Sequence, residues 1–153
     1  MFARYFVEIP KPTEEIEAAL MREPETWIPG LARETEDVSR GLLAEVGFGD
    51  RRRVDRKVEV TFAEPIRLSS KTILPIRWSA AGASALFPTL DADIEVAPIG
   101  PHRTQVALNA RYLPPLGALG RTIDRALLHR VAEATLKDFL DRLGSALLDQ
   151  VTA

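Results

Sequence analysis

Residues 119–147 read LGRTIDRALLHRVAEATLKDFLDRLGSAL, and the spacing of their apolar positions decides the fold. One ridge steps by four through Leu119, Ile123, Leu127, Val131, Thr135, Phe139, Leu143 and Leu147, with Thr135 its near-apolar member. A second runs beside it through Leu128, Ala132, Leu136, Leu140, Gly144 and Leu148. Two adjacent four-step ridges specify one amphipathic helix. At ~1.5 Å per residue it is roughly 43 Å long, more than most helices of globular domains. Four residues turn a helix by about 400°, so each ridge drifts by about 40° per step. A flat partner leaves such a spiral stripe partly uncovered. A sheet curving around the helix covers it.

The upstream residues supply that sheet. Phe2 to Ile9 is aromatic and β-branched, with Ala3, Tyr5, Val7 and Ile9 on one face, and Pro10 and Pro12 end it. Thr13 is placed to cap a short helix whose buried face is Ile16, Ala19 and Leu20. Pro24 suits the first position of a second short helix, with Trp27 and Ile28 as its apolar tip and Pro29-Gly30 as its stop. Residues 31–40 are compatible with loop or helix. Strand alternation then recurs over Leu42–Phe48, Arg56–Phe62, Ile66–Thr72, Leu74–Ala80, Leu90–Val96 and Thr104–Tyr112. Consecutive strands need hairpin connections, so the sheet is antiparallel, with one wet face and one dry. The reading is α+β: a curved seven-stranded antiparallel sheet around a long C-terminal helix, with two short helices after the first strand.

The chain is 153 residues long and has a net charge of −2 and no cysteine. That length predicts a single domain over 1–153. The charge offers no field for nucleic acid or anionic membrane. Without cysteine there is no disulfide, thiolate metal site or thiol catalysis. No run is apolar enough for a membrane span or a signal peptide, which predicts a cytoplasmic protein without integral membrane contact. His102 and His129 lack carboxylates at ligand spacing around both, so no metal site or cofactor is expected. Arg51-Arg52-Arg53 is flanked by Asp50 and Asp55 and reads as a solvated hairpin tip.

The wording of several stretches resembles the SRPBCC superfamily, which includes START-like, birch-pollen-allergen-like and polyketide cyclase-like proteins. They are Ile76-Arg77-Trp78-Ser79-Ala80, Leu86-Phe87-Pro88, Asp91–Val96, and Arg111-Tyr112-Leu113-Pro114-Pro115-Leu116-Gly117 running into Asp124–Leu143. The resemblance covers essentially the whole chain and is to small bacterial members. It implies a helix-grip fold with a cavity between sheet and long helix. Gly47 and Gly49 match only part of the glycine-rich loop found in plant members.

Inward registers place Phe62, Leu68, Ile76, Trp78, Leu90, Ile94, Leu108 and Tyr112 on the sheet side of such a cavity, and Leu127 and Val131 on the helix side. Trp78 and Tyr112 each pair an apolar body with one polar group, which either orients a ligand or belongs to plain core packing. Trp27 is a lid residue or an anchor. Arg130 either points its guanidinium into the cavity mouth or covers apolar surface with its stem. Thr135 bonds back to a helix carbonyl or forms a polar spot on the cavity floor. These residues favour a non-catalytic carrier or sensor of an apolar small molecule such as a lipid, quinone or polyketide-like compound. The superfamily also contains cyclases or aromatases, which need an acid–base group, and chaperone activators, which need an exposed apolar patch. No residue is assigned a catalytic role, and the oligomeric state is left open.

Overall fold

A computed structural model describes residues 2–45, 58–80, 89–113 and 125–152. In chain order the elements are β1 (Phe2–Ile9), α1 (Thr13–Met21), α2 (Pro24–Glu45), β2 (Val58–Phe62), β3 (Ile66–Arg67), β4 (Thr72–Ala80), β5 (Thr89–Gly100), β6 (Arg103–Leu113) and α3 (Arg125–Thr152). The strands form one antiparallel sheet in the order β1-β6-β5-β4-β2, with β3 also paired to β4. The class is α+β and helix-grip-like: one face of the sheet packs on α3, and α1 and α2 follow β1.

The double ridge on α3 is buried as its spacing predicts. Val131, Thr135, Phe139, Leu143 and Leu147 are buried on one line and Ala132, Leu136 and Leu140 on the next. Gly144 belongs to the second line. A Cβ there would lie 3.2 Å from Val7 Cγ2, so glycine lets the α3 backbone approach β1 closely. The opposing sheet face is built from alternate residues, and the register aligns them in rows. Phe62, Ile76, Ala92, Ala110 and Ala3 form one row; Leu74, Ile94, Leu108 and Tyr5 form the next. Most of these side chains are nearly inaccessible. Each fully buried Leu, Ile or Phe contributes about 1.5–3 kcal/mol. This core holds the sheet on the helix.

Several sequence expectations are corrected. Leu42–Glu45, read as a strand start, belong to α2, and Val46–Phe48 lie outside the described residues. The described strands number six rather than seven. The second helix is 22 residues long, not short, and passes through Pro29-Gly30. Pro29 lies near the helix start and removes one ladder bond there, while Ile28 and Ala32 on either side of it are buried. Thr13 does not cap α1; the cap position is Pro12, without a side-chain bond. The Thr13 hydroxyl instead meets that of Thr104 at 3.1 Å, and Thr104 donates to the Lys11 carbonyl at 2.7 Å. These contacts tie the entry to α1 to β6. Strand pairing breaks at Leu68, whose N–H bonds the Lys71 carbonyl across a tight turn holding Ser69-Ser70. Leu68 is therefore 51% exposed, not inward. Pro98 stays in β5 beside a register shift, and the chain reverses at Pro101-His102.

Candidate functional site

A row at one end of the sheet differs from the others. Val60, Trp78, Leu90 and Tyr112 stand side by side across β2, β4, β5 and β6. Beyond this row β4 leads into residues 81–88 and β6 into 114–124, which lie outside the described residues. Trp78 meets Phe139 of α3 edge to face, with ring centroids 4.8 Å apart at 72°. That geometry suits two aromatic quadrupoles and adds about 0.5–1.5 kcal/mol to the area buried. Trp78 and Phe139 thus fix the distance between sheet and helix here.

Tyr112 ends the row. Its phenol is buried, and its hydroxyl is sealed from solvent without a hydrogen-bond partner among the described residues. The Ser39 hydroxyl on α2 is sealed and unpartnered too. The two lie close enough for the Ser39 hydroxyl to act on the phenol as a hydrogen-bonding neighbour and offset part of the burial effect, yet they do not reach the geometry of a full hydrogen bond. Burial is the main reason the Tyr112 pKa is pushed far above the usual phenol value, and the Glu36 carboxylate adds to it. Glu36 is only 3% exposed and is engaged in an interaction of its own. Ser39 and Glu36 share the buried side of α2 with Ile28, Ala32 and Thr35. Thr35 donates to Asp138 Oδ2 at 2.8 Å, and Arg142 binds Asp138 at 2.7 Å and Glu34 at 2.6 Å. This network joins α2 to α3, so Ser39 is held against the sheet end by charge-assisted bonds.

An unpartnered buried hydroxyl costs about 1–3 kcal/mol. Two of them between the apolar sheet face and the buried polar side of α2 are a polar spot ready to donate to, or accept from, a group that enters. Sequence reading found Tyr112 and missed Ser39, Glu36 and Thr35. The buried series Ile28, Ala32, Thr35 and Ser39 has helical spacing, but only its first two members are apolar.

The other expected site residues divide. Ile76, Trp78, Leu90, Ile94, Leu108 and Val131 are gathered in the core between sheet and α3. Phe62 and Leu127 are half-buried. Thr135 is buried, and its hydroxyl donates back to the Val131 carbonyl at 2.7 Å, so its polar atom is satisfied. The Trp27 indole donates to the Arg22 carbonyl at 3.1 Å and its ring packs on the core, which makes it an anchor of the α1–α2 corner. Arg130 and Leu68 are exposed and do not join the interior. His129 is exposed and reaches Glu133 at 3.0 Å, while His102 is exposed in the β5–β6 turn. The Arg51–Arg53 run, Gly47, Gly49, Gly117 and Gly120 lie outside the described residues. Among the described residues no three His, Asp or Glu side chains gather in a metal-binding group, and no helix is long and apolar enough to cross a membrane.

The outer sheet face carries a shallow hollow of about 570 Å³, where Arg77, Asp91 and Arg111 stand in one cross-strand row ending at Phe2. Arg77 Nε lies 3.4 Å from Asp91 Oδ1, with both side chains in water. An exposed pair of this kind is worth about 1 kcal/mol or less. The Arg77–Asp91 pair is thus solvated, unlike the sealed hydroxyl of Tyr112.

No protein-family model matches the chain, and no curated protein does. Solved structures do match it. A conserved protein from Geobacillus kaustophilus aligns over 98% of this chain and 97% of its own, at 14% identity and a TM-score of 0.53. The Zhui aromatase/cyclase from Streptomyces sp. R1128 aligns over 99% and 93%, at 12% identity and a TM-score of 0.45. Norcoclaurine synthase from Thalictrum flavum aligns over 92% and 87%, at 17% identity and a TM-score of 0.32. The match to the Geobacillus kaustophilus protein, over nearly the whole of both chains, is a likeness of fold. At such identities the likeness speaks for the fold and not for the chemistry.

Proposed function

We propose that the chain is a non-catalytic carrier or sensor that takes an apolar small molecule, of the lipid, quinone or polyketide-like kind, between the sheet and α3. The observation that carries this reading is the pair of sealed, unpartnered hydroxyls, Tyr112 Oη and Ser39 Oγ, at the end of an apolar interior. Burying the ligand's apolar body contributes about 25 cal/mol per Å². Its carbonyl or hydroxyl hydrogen-bonds Tyr112 and Ser39, which fixes its direction and removes their desolvation penalty. Because both hydroxyls are sealed in the packed state, ligand entry and local opening are one event. Of the groups that could serve a cyclase as acid or base, Arg130 and His129 are exposed, and the Thr135 hydroxyl is committed to Val131. These positions favour the carrier over the enzyme.

The test combines native mass spectrometry of the purified chain with displacement of a fluorescent fatty acid. A bound small molecule is expected, and Tyr112→Phe and Ser39→Ala should each weaken binding roughly two- to ten-fold. If neither method detects a ligand, or affinity is indifferent to both substitutions, the proposal fails.

A further inference from the structure

We propose that the chain pairs with a second copy of itself through the free edge of β1, the two strands running antiparallel about a two-fold axis at Phe6. The sheet has two edges among the described residues. The β2–β3 edge is guarded: pairing breaks between Phe62 and Ile66, where Glu64-Pro65 sits, and β3 is only 2 residues long. The β1 edge has no such protection. It is 8 residues long, contains no proline or glycine, and pairs with β6 without a bulge. Its other side presents unpaired main-chain donors and acceptors, a template for another strand.

The outer side chains of β1 are Phe2, Arg4, Phe6 and Glu8, and Phe2 and Phe6 are 68% and 51% exposed. A two-fold pairing must set outer residues opposite outer residues, and the possible registers differ sharply. Centring on Arg4 opposes two arginines. Centring on Tyr5 sets Arg4 on Phe6 and Phe2 on Glu8, and centring on Val7 sets Phe6 on Glu8. Centring on Phe6 stacks phenylalanine on phenylalanine and places Arg4 opposite Glu8 on both sides of the axis. Opposite charges and aromatic pairs directly across a ladder are each favourable, and like charges are not. Arg4 lies 3.9 Å from Glu95 and Arg103 lies 3.4 Å from Glu8, but the Arg4 and Glu8 side chains remain 51% and 48% exposed and can bridge outward as well.

Beside β1, α3 leaves a groove of about 470 Å³ lined by Tyr5, Arg130, Glu133 and Lys137 among others. Its charges alternate in sign along the helix. A surface carrying both signs suits an identical, inverted surface better than a partner of one sign.

Sedimentation velocity of the full chain over a concentration series tests this. The wild type is expected to dimerise reversibly. Arg4→Glu and Glu8→Arg should each weaken the dimer about ten-fold or more, since each pair occurs twice. An equimolar mixture of the two variants should recover it as a heterodimer, and so should the double variant Arg4→Glu/Glu8→Arg. Circular dichroism confirms that the variants fold. Hydrogen exchange gives an independent readout in the wild type, where β1 amides should slow as concentration rises. A wild type that is monomeric throughout, a dimer insensitive to both reversals, a mixture that stays monomeric, or β1 exchange independent of concentration each overturns the proposal.

Discussion

Replacing Tyr112 by phenylalanine removes one oxygen atom from the interior and leaves the ring in place. In the structure that oxygen is sealed from water and makes no hydrogen bond of good geometry among the described residues. Its removal should relieve a desolvation penalty of about 1–3 kcal/mol. The void left is smaller than a methyl group and costs less than ~1 kcal/mol. The expected net effect is a stabilisation of about 1 kcal/mol, or roughly 2–4 °C in Tm for a chain of this size. The sign is unusual, because most changes at a fully buried aromatic residue destabilise. Urea denaturation at neutral pH measures it.

The same variant should change the alkaline limb. The folded state holds the Tyr112 proton to higher pH than an ordinary phenol, mainly through burial. Above the unfolded value of about 10, the unfolded chain releases that proton while the folded chain keeps it. Folded protein then binds more protons than unfolded, so wild-type stability falls as pH rises, by up to ~1.4 kcal/mol per unit from this group. Tyr112→Phe should remove that component of the slope. If the variant is destabilised by more than ~1 kcal/mol, or its alkaline limb is as steep as the wild type's, the hydroxyl is satisfied and the reasoning about the site is wrong.

Phe139→Ala should cost about 3–5 kcal/mol by urea denaturation, since it empties the contact that spaces Trp78 from α3. Thr104→Val should cost about 1 kcal/mol, because the Lys11 carbonyl and Thr13 hydroxyl both lose their partner at a half-buried position. Its reading is Tm by differential scanning calorimetry, with the smaller Thr104→Ser loss as control. Gly30→Ala and Gly41→Ala should each stabilise by about 0.5–1 kcal/mol, because both glycines lie inside α2 with open space where a Cβ would go. A loss of stability at either would mean that α2 ends before that residue in solution.

The sequence alone determined the elements whose burial repeats. On α3 two leucine-rich ridges declare both the helix and its buried face. On β4, β5 and β6 strict alternation declares which side chains face inward, and adjacency in the chain declares that the strands run antiparallel. Such patterns are legible because the free energy resides in apolar side chains, whose positions are local information. Only the tertiary structure decided α2. Its buried side is Ile28, Ala32, Thr35, Glu36 and Ser39, and Thr35 is tolerated there through Asp138, far away in sequence. Leu68 went outward because a turn at Ser69-Ser70 overrode its alternation. The polar spot was hidden for the same reason: whether the hydroxyls of Ser39 and Tyr112 are satisfied depends on the distances between α2, β6 and α3, and those distances follow from packing rather than from any one segment.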